Sequence, residues 1–273
     1  MKKALLKDSF KEIKKTFKRF ISILVMALLG VGFFAGLRAT APDMAVTLDK
    51  YADDTNLYDI KVISTLGLTD DDVEAIKKIE NIENVYPLYD EDVYVTLNEN
   101  DSVAKVIEYN ESFNKLDVIE GSIPSKADEC VIDSIMAKKA KVKLGDYIEI
   151  REDIEVDEDE NNDTEDEDDI SDEETPTFKN TKLKVVGIVT SPLYMSVERD
   201  ISSLGNGKVD YFIFVPKNNI DSKIYTSIYL SVTDTKELHA LSNEYQEKID
   251  YVKEELEGIK EERQKYRYNS LID

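Results

Sequence analysis

Residue types that do covalent or metal chemistry are scarce in this sequence. Cys130 is the only cysteine and His239 the only histidine among 273 residues. One thiol permits no intrachain disulfide and no cysteine metal cluster, and one imidazole leaves no histidine-based metal site. Cys130 reads as a small buried apolar residue. His239 reads as an exposed residue on a charged helix, away from any cleft that could build a Ser-His-Asp triad. P-loop, GxSxG, HExxH and CxxC motifs are absent from the sequence. Carboxylates are abundant but concentrated: residues 152–174 hold 16 acidic residues and no basic one. Within that run Asp157, Asp159, Asn161, Asp163 and Asp168 follow EF-hand spacing. However, Asn162 stands where the loop needs glycine, Asp168 replaces the bidentate Glu, and no amphipathic helices flank the run. Loose screening of divalent ions is the expected chemistry. No residue is assigned a catalytic, cofactor-binding or metal-binding role, no cofactor is expected, and the chain reads as non-enzymatic.

The charges instead describe a membrane arrangement. The net charge of -23 argues against nucleic-acid binding, because phosphate partners require clustered Lys and Arg. Yet residues 1–19 carry eight basic and two acidic residues. There Leu6, Phe10, Ile13, Phe17 and Phe20 fall at alternating spacings of 4 and 3, one face of a helix whose other faces are lysine. This is the pattern of an amphipathic helix on a cytoplasmic membrane surface. Residues 20–37 (FISILVMALLGVGFFAGL) are uncharged and bracketed by Arg19 and Arg38. At ~1.5 Å per residue they make about 27 Å of helix, close to the hydrocarbon thickness. Asp43, Asp49, Asp53 and Asp54 follow, so the positive-inside rule places the N-terminus in the cytoplasm and residues from about 40 onward outside. A cleavable signal peptide is the competing reading. The apolar run is too long for one, and Pro42 follows the would-be cleavage site Ala39-Thr40-Ala41.

The outer region alternates between strand and helix signals. Residues 58–64 (YDIKVIS) read as a strand. Thr69 caps a helix with Asp70, Asp71 and Asp72 in its first turn, and residues 84–97 return as strand, with Pro87 marking a bulge or edge. Together these make a β-α-β unit. Strands are then expected over residues 102–109, 129–132 and 147–150, with a turn-bearing connection at 118–124 and a short helix at 134–140. Residues 152–178 cannot offset their ordering entropy and read as a disordered loop. Strands resume over 183–189, 209–215 and 224–232. From Thr235 to about Tyr268 the chain reads as one helix, with Leu238, Leu241, Tyr245, Ile249, Val252, Leu256 and Ile259 at spacings of 3 or 4. Two readings stand for it: an arm of a helical hairpin or coiled coil, or an amphipathic helix on a sheet. With no partner arm in the chain, its distal half is expected to fray or self-associate through Val252, Leu256 and Ile259.

The stretch VIEGSIPSKADECVIDSIMAKKAKVKLGDYIEI, followed by LKVVGIVTSPLYMS, resembles the extracytoplasmic core of FtsX/MacB-type ABC transporter permeases. Gly121 and Pro124 occupy a Gly-x-x-Pro turn, Gly145 and Asp146 a turn before a strand, and residues 185–189 a buried strand of that core. SSLGNGKVDYFIFVP is similar to a subset of these permeases from low-GC Gram-positive bacteria. The resemblance implies an α+β fold: one N-terminal transmembrane helix (20–38), then a MacB-like extracytoplasmic domain. In that domain a porter-like β-α-β subdomain (first half 39–97) receives an inserted mostly-β subdomain (98–222). Residues 223–273 would hold a strand and the long helix that begins the second porter half. The family's C-terminal permease helices and the closing strand of the second half are missing. The chain therefore reads as a fragment, a truncated product or one part of a split permease.

The resemblance also implies partners: an ATP-binding cassette ATPase subunit, a permease domain with further transmembrane helices, the lipid bilayer and a second copy in a homodimer. The implied function is the extracytoplasmic and anchor portion of a permease that couples ATP hydrolysis to conformational change outside a cell membrane. The alternative is a membrane-anchored extracellular module that binds a peptide or a cell-wall enzyme without an ATPase. The expected topology is checked by placing Ser203→Cys in a Cys130→Ala background in intact cells. A membrane-impermeant thiol reagent should label residue 203 without lysis, and labelling only after lysis would reverse the assignment.

Overall fold

The computed structural model describes residues 11–97, 100–152, 177–195 and 200–272. It divides into two compact units, Met1–Lys50 and Tyr51–Asp273. The first half of the amphipathic helix read at the N-terminus, residues 1–10, and the bulk of the acidic run, residues 153–176, lie outside the described residues.

In the first unit a helical stretch over residues 11–15 turns at Thr16, and α1 (Phe17–Thr55) begins. Its apolar window has a mean hydropathy of 2.5 with no residue buried, and the helix is long and apolar enough to cross a membrane. The helix extends beyond the expected transmembrane segment, residues 20–38, and runs to Thr55. Residues 39–55 contain no glycine, and Pro42 alone does not break the helix. The hydroxyls of Thr40 and Thr47 donate to the carbonyls of Gly36 and Asp43, one turn back, at 2.8 and 2.7 Å. The helix stops where Asn56 takes a left-handed backbone (φ 53), a conformation that asparagine tolerates.

The second unit contains two sheets. In the smaller one, β1 (Ile60–Leu68) and β2 (Ile82–Leu88) flank β10 (Tyr225–Val232) and are both antiparallel to it. Between β1 and β2 runs α2 (Asp70–Ile76). Its start is set as the sequence suggested: Asp72 accepts the Thr69 backbone N–H at 2.8 Å and the Thr69 hydroxyl at 2.9 Å. Pro87 lies on β2, an edge strand, where a missing N–H is tolerated.

The larger sheet is a closed barrel. Its strands are β3 (Asp90–Leu97), β4 (Asn100–Tyr109), β5 (Asp117–Gly121), β6 (Glu129–Asp133), β7 (Tyr147–Arg151), β8 (Lys182–Thr190) and β9 (Tyr211–Pro216), in the order β5-β8-β6-β9-β4-β3-β7. A further β7–β8 pairing closes the ring. One edge of β8 is shared: residues 182–184 pair with β7 and residues 187–190 with β5. The sequence took residues 118–124 for a connection, but β5 occupies the first of them. Gly121 (φ 85) lets it leave β8 at close range, since a Cβ there would sit 2.2 Å from the Val186 carbonyl oxygen. That contact is the physical reason for the glycine of the Gly-x-x-Pro turn.

Alternation along the strands divides the apolar residues between two cores. Cys130, Ile132, Ile213 and Val215 point into the barrel with Val93, Val95 and Val106. Val131, Phe212 and Phe214 point outward, against Leu88 and Tyr229 of the smaller sheet. The short helix α3 (Ser134–Lys139) packs the fully buried Met136 into the barrel core, and the Asp133 carboxylate accepts the Met136 N–H at 2.8 Å. Burial pushes the Cys130 thiol far up, which leaves it inert as a nucleophile.

Four expectations are corrected. Residues 84–97 are not one strand, because the chain changes sheets at Tyr89 and β3 belongs to the barrel. The C-terminal helix α4 (Asn243–Ile272) starts later than Thr235. Asp234 takes a left-handed backbone (φ 59), and the buried Thr235 spends its hydroxyl on Asp59, at 3.1 Å, and on the Val232 carbonyl, at 2.8 Å. His239 accordingly lies in the turn before the helix, half-buried, its Nδ1 accepting the Leu241 N–H at 3.2 Å. Finally, the distal half of α4 is not left without a partner: of the two readings, the amphipathic helix on a sheet is the one the structure has. Ile249 and Val252 are 3% and 0% exposed, in one cluster with Ile60, Ile228, Leu230 and Val73, and Leu256 and Ile259 pack at its margin. Val252→Asp should therefore lower the stability of the outer domain by about 3 kcal/mol or more, because an unpaired carboxylate enters that cluster. Amide hydrogen exchange over residues 252–263 should be slow and independent of concentration in the wild-type chain, and fast in the variant.

Candidate functional site at the junction of the two sheets

The chain leaves the smaller sheet for the barrel at one residue, Tyr89, and the next residue makes contacts in both. Asp90 pairs with Ile107 as the first residue of β3. Its N–H donates to the Thr226 hydroxyl of β10 at 2.7 Å. Its carboxylate accepts the hydroxyls of Thr226 and Ser227, the latter at 2.8 Å, and lies 3.5 Å from the Lys61 ammonium on β1. The Asp90 side chain is only 11% exposed. Burial alone would raise its pKa. Lys61 and the two hydroxyls outweigh that, so the carboxyl is held below the usual range and stays ionised. Alongside, Lys105 of β4 sits 3.6 Å from Asp92 and 3.1 Å from Asp200. Burial would lower its pKa, but these carboxylates hold it up. Glu108 accepts the Tyr89 N–H at 3.3 Å, and burial raises its pKa.

Around these charges aromatic rings fill the seam. Tyr58 and Tyr229 have centroids 4.5 Å apart, Tyr86 stacks on Phe113 at 4.3 Å, and the Lys61 ammonium lies 5.3 Å from the Tyr229 centroid. The loop carrying Phe113 also receives the end of α1. The carbonyls of Thr55 and Asn56 accept the N–H groups of Lys115 and Asn114 at 2.8 and 3.0 Å, Asn56 Nδ2 donates to the Ser112 carbonyl at 2.6 Å, and the Tyr51 hydroxyl donates to Asp117 at 3.1 Å. The last carbonyls of that helix, which no helix can satisfy internally, are thus taken up by the loop before β5.

The long helix is tied down at both ends. Near its start Tyr245 donates to Asp59 at 2.7 Å, and Asp59 also accepts the Val232 N–H at 2.7 Å. Near its end Arg263 Nε donates to Asp72 at 2.6 Å, the Tyr266 hydroxyl to Asp71 at 3.1 Å, and Arg267 Nε to the Leu66 carbonyl at 3.0 Å. For Asp72, burial raises the pKa and the bonds from Thr69 and Arg263 lower it more. Between the helix and β1 lies a groove of about 860 Å³.

Among the described residues, no group of three or more His, Cys, Asp or Glu side chains is placed to hold a metal ion. Sequence reasoning assigned none of these positions. The one visible signal was Asp90 itself, an acid in the middle of a stretch with strand character, where Asp is disfavoured. Asp59 and Arg263 carried no signal, because their partners are distant in the chain.

The sequence pattern described as the MacB-like periplasmic core domain matches residues 20–248. Among solved structures, the extracellular domain of the noncanonic ABC-type transporter YknZ from Gram-positive bacteria is similar at 14% identity and a TM-score of 0.36. That match covers 63% of this chain and 76% of that one. The periplasmic region of MacB from Actinobacillus actinomycetemcomitans is similar at 12% identity, also with a TM-score of 0.36, covering 72% and 75%. No curated protein matches the sequence.

Asp90 and Asp72 have folded pKa values below the ordinary 3.8. Their contribution to stability is complete above that value and is lost as pH falls through the folded values. Asp90→Asn should cost about 1–3 kcal/mol at pH 7, because charge-assisted bonds become neutral ones and Lys61 loses its counter-ion. It should also flatten the acid limb of the stability profile. Thermal unfolding between pH 2 and 7 measures both effects.

Proposed function

Because this chain belongs to the MacB-like periplasmic core domain family, we propose that it is the anchor and extracytoplasmic portion of an ABC transporter permease. In this reading the N-terminus is cytoplasmic, α1 crosses the cell membrane, and residues from about 40 onward stand outside. A partner subunit hydrolyses ATP, further permease helices come from another segment or chain, and a second copy completes the assembly. Displacements are relayed outside the membrane for export or mechanotransmission. The outer region divides into a porter-like lobe, residues 51–88 and 223–272, and an inserted mostly-β lobe between them.

The observation that carries the reading is where the family match begins. It starts at residue 20, inside the apolar segment, and continues into α4, so anchor and outer domain match as one unit. Two features support the relay. The end of α1 is bonded to the barrel loop, and the barrel is bonded to the smaller sheet through Asp90, so a displacement of any one of these parts meets bonded neighbours.

The test is isolation of the full chain from its own membranes in mild detergent. An ATP-binding cassette subunit should co-purify, and trapping that subunit with ATP and vanadate should change the thiol reactivity of Ser203→Cys at least threefold. An outer domain indifferent to nucleotide, with no such subunit present, would favour a binding module instead.

A further inference from the structure

A second pocket, of about 530 Å³, opens on the flank of the barrel. Its walls come from β5, α3 and the loop after α3, all within the inserted lobe, and its apolar lining is Ile119, Ala137, Val142, Leu144 and Ile188. The size falls inside the range of ligand pockets, roughly 300–1,000 Å³. Strand β5 bulges here: Val118 pairs with Val189 and Glu120 with Ile188, so Ile119 is the extra residue. A bulge re-aims a side chain, and that of Ile119 lines the pocket. Ile119 is 59% exposed and its neighbour Val118 42%. Two adjacent apolar side chains in water beside an apolar pocket form a patch that a partner can cover.

The rim of this pocket is basic in a chain whose net charge is -23. Residues 134–145 hold four lysines, Lys138, Lys139, Lys141 and Lys143, and no Asp or Glu. All four are exposed, and among the described residues none of them has an ion-pair partner. Lys138 and Lys143 line the pocket itself, where Glu120 is the sole carboxylate among the described lining residues. Lys138 and Lys139 sit in the last turn of α3, where a cation suits the helix C-terminus. That accounts for neither Lys141 nor Lys143. Lys141 moreover holds a left-handed backbone (φ 59) just past the helix, a place that glycine or asparagine fills with less strain. Its side chain is exposed and adds nothing to the barrel core, so the charge is kept there at a conformational cost.

We propose that this flank of the barrel binds an acidic segment of a second polypeptide that carries a large apolar side chain. The apolar side chain enters the pocket against Ile119, Val142 and Leu144. Its neighbouring carboxylates face Lys138 and Lys143 at the rim and Lys139 and Lys141 beyond it. The two parts of the site select differently. Lysines alone accept any polyanion, but a bare phosphate polymer has nothing to fill an apolar pocket. The pocket alone accepts any apolar group, but the lysines repel a cationic one. Because the lysines are exposed, salt screens their attraction. The inference stands apart from the transporter reading, since it needs neither a partner ATPase nor a second copy of the chain.

The experiment is titration calorimetry of the full chain in detergent with a short peptide of Glu residues around one Phe. One counterpart replaces the Phe by Ala, and another replaces each Glu by Lys. The Phe–Glu peptide should bind about tenfold more tightly than either counterpart and weaken as salt rises. Lys138→Glu combined with Lys143→Glu should weaken it about tenfold with the melting temperature unchanged, because both side chains are exposed. Ile119→Ala should weaken the Phe peptide and leave the Ala counterpart unaffected. Four results overturn the proposal. The first is no saturable binding at millimolar concentration, and the second is binding that the double lysine variant leaves intact. The third is equal binding of the Phe and Ala peptides, which would make the occupant a polyanion read by charge alone. The fourth is binding only after deletion of residues 153–176, which would make the occupant the chain's own acidic run.

Discussion

Strand β10 is the constraint on which the outer domain rests. The two strands of the β-α-β unit do not touch; each pairs only with β10, so that Ile60 meets Leu230 and Val85 meets Leu230 from the other side. The smaller sheet therefore cannot close until the chain has built the barrel and returned. Such non-local pairing carries a loop-closure cost before any contact compensates it. The inserted barrel lowers that cost by folding as a ring of its own, which brings the end of β2 and the start of β10 together. The alternation of β10 then serves both cores: Ile228, Leu230 and Val232 face the helices, and Tyr229 faces the barrel.

The charges buried at the seam belong to the same constraint. A buried ion pair adds little net stability over a well-packed apolar substitute, because desolvation offsets the attraction. What Asp90 supplies is register. Its backbone lies in the barrel and its carboxylate accepts from two neighbouring residues of β10. A slip of β10 by one residue would carry Thr226 and Ser227 about 3.3 Å along the strand and leave a buried carboxylate without its present donors. Lys61 on β1 adds a third strand to the arrangement, so β3 of the barrel and β10 and β1 of the smaller sheet meet at one side chain.

The long helix follows from the sheet. A helix with the charge density of α4 would be marginal in isolation. It is held by Ile249 and Val252 on the sheet and by a sequence of bonds to residues far earlier in the chain, Asp59 at one end and Asp72 and Leu66 at the other. Those bonds also hold the helix beside β1, where the two elements line the groove of about 860 Å³. A helix that packed more closely would fill the groove, and one that frayed would dissolve it.

Local signals were legible in the residue pattern. The apolar segment after Arg19 marks a spanning helix. The Thr69 cap with its acidic first turn starts α2 where the structure has it, and the β-branched runs near residues 60, 131, 186, 213 and 228 are all strands. Cys130 and the scarcity of histidine already argued against nucleophilic and metal chemistry. Each of these rests on a period of 2 or 3.6 or on a cap within a few residues, so it needs no knowledge of neighbours. The break at Tyr89, the late start of α4, the ring closure through β7 and β8, and every residue of the seam depend on which edges meet. Strand alternation says which face of a residue is buried, but not which strand lies beside it. Asp90, Asp59 and Arg263 acquire their roles only when β10, α2 and α4 arrive from elsewhere in the chain. For that reason the junction and the groove could be found only in the folded molecule.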